Sequence, residues 1–309
     1  MLVSYSNKKL NSCRMHVQIP AFSLSQMVER ITHVETYKIE FQLVTVKAGS
    51  TLHSFPHRTS FYGVGLCHQG SVVLNTGLHK SELRTDCLCI MSPEVIRNWQ
   101  NQSADYLATG VFFTEAFFLE NQAPATILRR FSFFQGGALG ILQLRPEEAI
   151  RIAQLQREIQ RVLAGTSGHK AALIRAYISI LLHEIADCYE YHQPSRISPI
   201  VQPNYLVDHF KELVGTHYLR TRSVAEYARL LHITAKHLSE TVKAVTGKTA
   251  GEWLNDMLIL EAKVQLRQTS LTVSQVADAL RFCDASAFSK FFKRQVGSTP
   301  VAYRQQTQA

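Results

Sequence analysis

Between about Tyr37 and Phe118 the chain alternates short apolar segments with turn residues: YKIEFQLVTVKAG, SFYGVGLCHQG, SVVLNTG, CLCIMSP and LATGVFF. β-Branched and aromatic residues at strand-like lengths, separated by Gly, Pro, Asn or Ser, predict an all-β region, an antiparallel sandwich or barrel. From Arg145 the period changes. Pro146 suits a helix start, Glu147 and Glu148 suit a first turn, and Ile150, Ala153, Leu155, Ile159 and Leu163 recur near helical spacing. After the break Gly165-Thr166-Ser167-Gly168, the stretch KAALIRAYISILLHEIADCYEYH predicts a second helix, too apolar to face water on most sides. It either packs on the β region or forms a dimer interface.

Prolines at 194, 199 and 203 mark a linker over 193–203, which divides the chain into a domain over 1–192 and another over 204–309. The second domain repeats itself. Val224, Ala228, Leu231 and Ile233 recur 49 residues later as Val273, Ala277, Leu280 and Phe282; Leu238, Ser239, Val242, Lys243, Gly247 and Thr249 recur 50 residues later as Phe288, Ser289, Phe292, Lys293, Gly297 and Thr299. The change of offset falls in a turn, where an insertion costs least. Each unit reads as helix, short turn, helix. The first helices open on the capping boxes Ser223/Glu226 and Thr272/Gln275, and the second helices carry buried stripes of Leu238, Val242 and Val245, or Phe288, Phe292 and Val296. Between the units, TAGEWLNDMLILEAKVQLRQT opens on a third box, Thr249/Glu252, and predicts a straight helix. About 18 helical residues span roughly 27 Å, close to the ~34 Å between successive major-groove faces on one side of B-DNA. A rigid connector of that length sets two groove-sized helices on adjacent turns of a duplex.

Charge adds to this picture. The formal net charge is +9, and residues from Asn204 onward hold 14 Lys+Arg against 9 Asp+Glu. The stretch from Arg281 to Arg304 holds five basic residues and the single acid Asp284, which makes it a candidate phosphate-facing surface. The composition, 46% hydrophobic and 18% charged, is that of a folded globular chain. The six cysteines form no C-x-x-C pair or zinc-like spacing, and free thiols in a reducing cytosol are expected. With no signal-peptide core and no apolar run of membrane-spanning length, neither export nor membrane insertion is expected.

The run from Phe210 to Arg304 resembles the DNA-binding domain of the AraC/XylS family of transcription regulators. The likeness lies in SVAEYARLLHITAKHLSETVKAVTGKTAGEWL and in LTVSQVADALRFCDASAFSKFFKRQVGSTPVAYR, with its Val-Ala pair, Phe-Ser-Lys-x-Phe-Lys, Gly and Thr-Pro-x-x-Tyr-Arg. The resemblance implies base-facing roles for Lys236, Ser239 and Glu240 in the first recognition helix and for Ala285, Ser286, Ser289 and Lys290 in the second. Lys and Ser can donate to bases or phosphates, Glu240 can accept from cytosine N4, and Ala285 offers a methyl contact. Arg222, Lys243, Lys293 and Arg294 suit phosphate contacts, which position without reading sequence. Two departures stand out: Arg281 occupies a turn where relatives carry glycine, and Met257-Leu258-Ile259-Leu260 replaces an Arg-containing segment of the connector.

More loosely, HSFPHRTSFYGVGLCHQGSVVLNTG and GVFFTEAFF resemble the cupin-like sensing barrel of the same family. The expected fold is therefore α+β: an N-terminal cupin-like β-barrel with a helical hairpin, then an all-α domain of two helix-turn-helix units joined by a linker helix. An effector pocket would be lined by His53, His57, Phe61, Tyr62, His68 and Trp99. The histidines lack the arrangement of metal-binding cupins, and neither a metal nor a cofactor is expected. The resemblance implies double-stranded DNA as partner, a homodimer, a small-molecule effector, and activation by contact with RNA polymerase in the cytoplasm. Two other classes compete: a cupin-type metal-dependent enzyme with a helical appendage, and a scaffold using its helices for protein contacts alone. No acid/base pair, nucleophile motif or phosphate-binding glycine loop supports the enzyme.

Overall fold

The computed structural model describes residues 21–32, 40–50, 52, 54–93, 95–120, 127–134, 140–192 and 203–308. Apart from Pro203, the expected linker lies outside the described residues, as does His53.

The N-terminal part opens on α1 (Leu24–Thr32) and continues through β1 (Phe41–Lys47), β2 (Tyr62–Gln69), β3 (Ser71–Thr76), β4 (His79–Arg84), β5 (Cys87–Met91), β6 (Arg97–Gln100) and β7 (Leu107–Phe113). The short helix α2 (Glu115–Leu119) and strand β8 (Ile141–Gln143) follow. The strands form two sheets, one of order β1-β7-β2-β5-β8 and one of order β4-β3-β6. All of their ladders are antiparallel. The expected closed barrel is thus an open pair of sheets; among the described residues only the isolated bridge His57↔Arg97 extends the smaller sheet at its β6 edge. Strand β4 carries no apolar alternation, since Leu83 is its only buried residue. It is held by a two-residue turn at Gly77-Leu78, with Gly77 at φ +57°, a conformation that tight hairpins require and glycine accepts without strain.

Two cores lie on the two faces of the five-stranded sheet. One, between the sheets, holds Val44, Val46, Cys67, Val72, Leu74, Leu83, Cys89 and Phe112. The other joins Val64, Leu66, Leu88, Val111 and Phe113 to α3 (Pro146–Ala164) and α4 (Lys170–His192). Pro146 stands at the start of α3 as expected, and the buried Glu148 accepts from the Arg145 backbone N–H at 2.8 Å while bonding His192 at 2.8 Å, which ties the start of α3 to the end of α4. The apolar side of α4, with Ile174, Ile178, Leu181, Leu182 and Ile185, faces this core, so the helix packs on the β region. Leu173 and Ile180 remain exposed on it.

The C-terminal part is all helix: α5 (Pro203–His217), α6 (Val224–Leu230), α7 (Ala235–Thr246), α8 (Ala250–Gln268), α9 (Val273–Ala279), α10 (Ala285–Val296) and α11 (Pro300–Gln308). The capping boxes of α8 and α9 form, with Thr249 and Thr272 accepting from the N–H groups of Glu252 and Gln275. The expected box at Ser223 does not: its side chain makes no cap bond, and its own N–H donates to Thr221 Oγ1 at 3.2 Å. Helix α8 serves two cores at once. Leu254, Met257 and Leu258 face the first unit while Ile259, Ala262 and Leu266 face the second, so the apolar run 257–260 is what a rod packed on both sides needs.

The repeat is visible in the backbone. Ile233 N–H donates to Ala228 O and Phe282 N–H to Ala277 O, both at 2.9 Å, and the residues just before them, His232 and Arg281, both have φ +56°. Arg281 therefore takes the left-handed conformation of this turn in spite of its side chain. A non-glycine residue in the left-handed region costs about 1–2 kcal/mol, whereas glycine loses about 0.5–1 kcal/mol through the extra freedom of the unfolded chain. Arg281→Gly should therefore stabilise the second unit by up to about 1 kcal/mol in urea denaturation. A loss of stability would instead credit the bond from the Arg281 guanidinium to Arg220 O, 3.3 Å long.

Candidate functional site

Helices α7 and α10 hold the residues expected to meet DNA. Thr234 caps α7 by accepting from His237 N–H at 3.1 Å, and Asp284 caps α10 by accepting from Ala287 N–H at 2.7 Å. That bond holds the Asp284 carboxyl below its usual range. Both helices end on a left-handed glycine, Gly247 at φ +77° and Gly297 at φ +84°. Leu238 and Val242 anchor α7, and Phe288 and Phe292 anchor α10; all four are fully buried. Val245 leaves the expected stripe and stands 41% exposed. The 50-residue offset pairs Val296 with Thr246 rather than Val245, and Thr246 Oγ1 accepts from the Trp253 indole N–H at 3.0 Å.

The opposite faces are open to solvent. Lys236, Glu240, Lys243, Ser286, Lys290, Lys293 and Arg294 are exposed, and Ser239, Ala285 and Ser289 are partly so. Lys236 and Glu240 sit one turn apart at 3.9 Å, an exposed pair of small energetic weight. Two basic residues are engaged elsewhere. The Arg304 guanidinium donates to Leu266 O at 3.0 Å and Leu271 O at 2.6 Å, locking α11 to the end of α8, so the basic surface expected over 281–304 loses this member. Arg222, expected at phosphate, is exposed and holds its guanidinium 4.2 Å from the centre of the Phe282 ring. Burial, then the charge of Arg281, lowers its pKa. Together with the bond from Arg281 to Arg220 O, this contact joins the loop before α6 to the turn of the second unit.

The N-terminal part contains an apolar cavity between its sheets, about 720 Å³ of empty space counted with its mouth. Of the residues expected to line it, His57 and Trp99 do. Phe61 is buried in the same core without reaching the cavity wall. Tyr62 and His68 face the other way: successive side chains of β2 alternate, and these two share the helix-facing side with Val64 and Leu66. Tyr62 packs on Phe113 and Phe134, and His68 bonds Thr109 Oγ1 at 2.9 Å. Phe112 covers Gly63 and Gly110, where an added Cβ would sit 2.6 and 2.5 Å from its ring. The cavity also holds a residue the sequence reading passed over, the buried Arg97. Among the described residues, no three His, Cys, Asp or Glu side chains are grouped to hold a metal, and no helix is long and apolar enough to cross a membrane.

A second feature went unread in the sequence. His57 and Thr59 line the cavity, and Arg58 between them turns away from it toward α8. Its guanidinium donates to both carboxylate oxygens of Glu261, at 3.1 and 2.5 Å, and to Tyr218 OH at 2.7 Å. Tyr218 OH donates to Glu261 Oε2 at 2.5 Å, and Gln265 Nε2 donates to Glu261 Oε1 at 2.8 Å. Arg58 is 3% and Glu261 0% exposed, so the pair is sealed from water between the two parts of the chain. Burial pushes the Glu261 carboxyl up, but the charge of Arg58 and the three donors outweigh it and hold it below the usual range. Around this pair, the Arg267 guanidinium sits 3.6 Å over the Phe55 ring and Ile96 enters the core of the first helix-turn-helix unit.

The chain matches two family profiles, an AraC-like ligand binding domain over residues 40–186 and a helix-turn-helix domain over residues 227–306. It is 23% identical to the uncharacterized HTH-type transcriptional regulator YfiF of Bacillus subtilis over 251 residues, 80% of this chain and 78% of that one. It is 35% identical to the HTH-type transcriptional activator RhaR of Cronobacter sakazakii over 74 residues, 24% of this chain and 26% of RhaR. Among solved structures, ToxT from Vibrio cholerae O395 aligns over 87% of this chain and 99% of its own, with 13% identity and a TM-score of 0.36.

Proposed function

Because the chain belongs to the AraC/XylS family of transcription regulators, DNA-binding proteins of helix-turn-helix type with an N-terminal ligand-binding domain, we propose that α7 and α10 read two successive major-groove faces of one duplex. The observation that carries this reading is the pair of solvent-open faces on α7 and α10, each anchored from behind by two fully buried residues. Lys236, Ser239, Glu240, Ala285, Ser286, Ser289 and Lys290 face the bases. Arg222, Lys243, Lys293 and Arg294 take phosphates, and Arg222 also touches the Phe282 ring of the second unit. Residues 1–192 form the sensing domain, with a small molecule held between the sheets, and 204–309 form the reader. The regulator acts in the cytoplasm, as a homodimer through the exposed residues of α4 such as Leu173 and Ile180. It activates transcription, as the relative named an activator suggests, and does so by contact with RNA polymerase.

Binding to operator and to random duplex over a salt series tests the division of labour between base and phosphate contacts. Lys290→Ala should lower the ratio of specific to non-specific affinity by about 1–3 kcal/mol. Lys293→Ala should weaken both and reduce the slope of log K against log salt by about one. Equal effects of the two changes on both kinds of DNA would refute these roles.

A further inference from the structure

We propose that the cavity between the sheets takes a small, mainly apolar molecule bearing one carboxylate, with that carboxylate seated on Arg97. The inference rests on reading this cavity as the effector site.

Arg97 is 3% exposed and lines a wall made otherwise of residues such as Met27, Val46, Met91, Trp99 and Phe112. A guanidinium held in such a place is costly unless an anion compensates it. Its polar contacts are to neutral oxygens: Ser92 O at 2.5 Å and, weakly, Thr59 Oγ1 at 3.5 Å. Among the described residues no carboxylate pairs with it, in contrast to Arg58 one strand-step from the same wall, which has Glu261. The thiol of Cys89 beside it supplies no counter-charge, because burial pushes it up to about 12. Burial also lowers Arg97 to about 10, which still leaves it charged at neutral pH.

A neutral side chain could hold Ser92 O and Thr59 in place; a full positive charge is needed only if an anion arrives. The rest of the wall is mainly apolar, with His57, Thr59 and Thr109 as its other polar members, which sets a mainly apolar remainder of the ligand, and one guanidinium sets its charge at one. A carboxylate accepts from guanidinium donors in their own plane, the geometry that makes charge-assisted pairs strong and selective. Placed there, the ligand also touches the wall formed by His57 and Thr59, the neighbours of Arg58 in the seal to the DNA-reading part.

The test is a titration of the full chain with butyrate, hexanoate and benzoate, each matched by its primary amide, followed by calorimetry and thermal shift. At least one acid should bind about tenfold or more tightly than its amide, and Arg97→Gln should erase the difference while the amide still binds. Should the variant fail to fold, the acid and amide pair on the natural chain decides alone. Equal binding of acid and amide overturns the anion site and leaves the effector cavity standing, as does an acid preference that survives Arg97→Gln. If neither acids nor amides bind, the proposal falls and the sensing role of the cavity falls with it.

Discussion

Arg58→Met should destabilise the chain by about 3–5 kcal/mol, because it leaves the Glu261 carboxylate buried with no opposing charge. Among the described residues its other partners, Tyr218 and Gln265, donate hydrogen bonds but carry no charge. The same reasoning predicts that Arg58→Met with Glu261→Leu recovers most of the loss, since a buried ion pair replaced by apolar residues is often neutral or better. Denaturation of the two single variants and the double variant measures the coupling directly. A double variant as unstable as the worse single would show that the pair is not the term that matters. The pH dependence has a definite sign. The folded carboxyl lies below its unfolded value, so its stabilisation is complete above about pH 4–5 and is lost as pH falls through the folded value. The Glu261→Leu chain should lack that acid limb. Since the pair joins the two parts of the chain, the variants also report whether the sensing part constrains the reader: DNA affinity should change in the single variants more than in Arg281→Gly.

The second large effect is expected at Phe292. Its ring is fully buried and packs against Phe288, with centroids 5.8 Å apart, and against Tyr303 at 5.5 Å. Truncation to Ala removes a large apolar side chain from a core built of few elements, for a cost of about 3–5 kcal/mol. The loss should fall on the second unit. Its helices α9, α10 and α11 share one cluster with the far half of α8, while the first unit has its own core around Phe210, Tyr227 and Leu238. Hydrogen exchange should show lost protection over 273–306 and retained protection over 206–246. Specific DNA binding should drop toward the level of random duplex. Uniform loss across both units would show that the two cores fold as one.

The C-terminal domain was largely legible before any coordinates, because its information is local. Caps, glycine stops and apolar spacing lie within a few residues of one another, and the internal repeat states each of them twice. The error at Val245 shows the limit: periodicity allowed either 245 or 246 to close the stripe, and only the 50-residue offset chooses Thr246. The N-terminal part was legible in class but less so in detail. Strand β2 reads YGVGLCHQ, and with glycine at 63 and 65 it shows no polar-apolar alternation to say which side faces the cavity. The pattern of β2 alone therefore does not separate Tyr62 and His68 from its cavity-facing residues. Strand β4 is almost wholly polar and was missed, because its partner rather than its own composition makes it a strand. The seal between Arg58 and Glu261 spans 203 residues of sequence, and no local pattern announces a contact of that kind.

The ring of Phe282 under the Arg222 guanidinium, with Arg281 tied to Arg220 O, has a consequence for the operator. Helix α8 alone would fix the distance between the two readers; this clasp also fixes their relative rotation. If α7 and α10 read one duplex as proposed, an operator presents its two half-sites in one rotational phase, and a single inserted base pair, a turn of about 34° on B-DNA, puts one half-site out of reach of its reader.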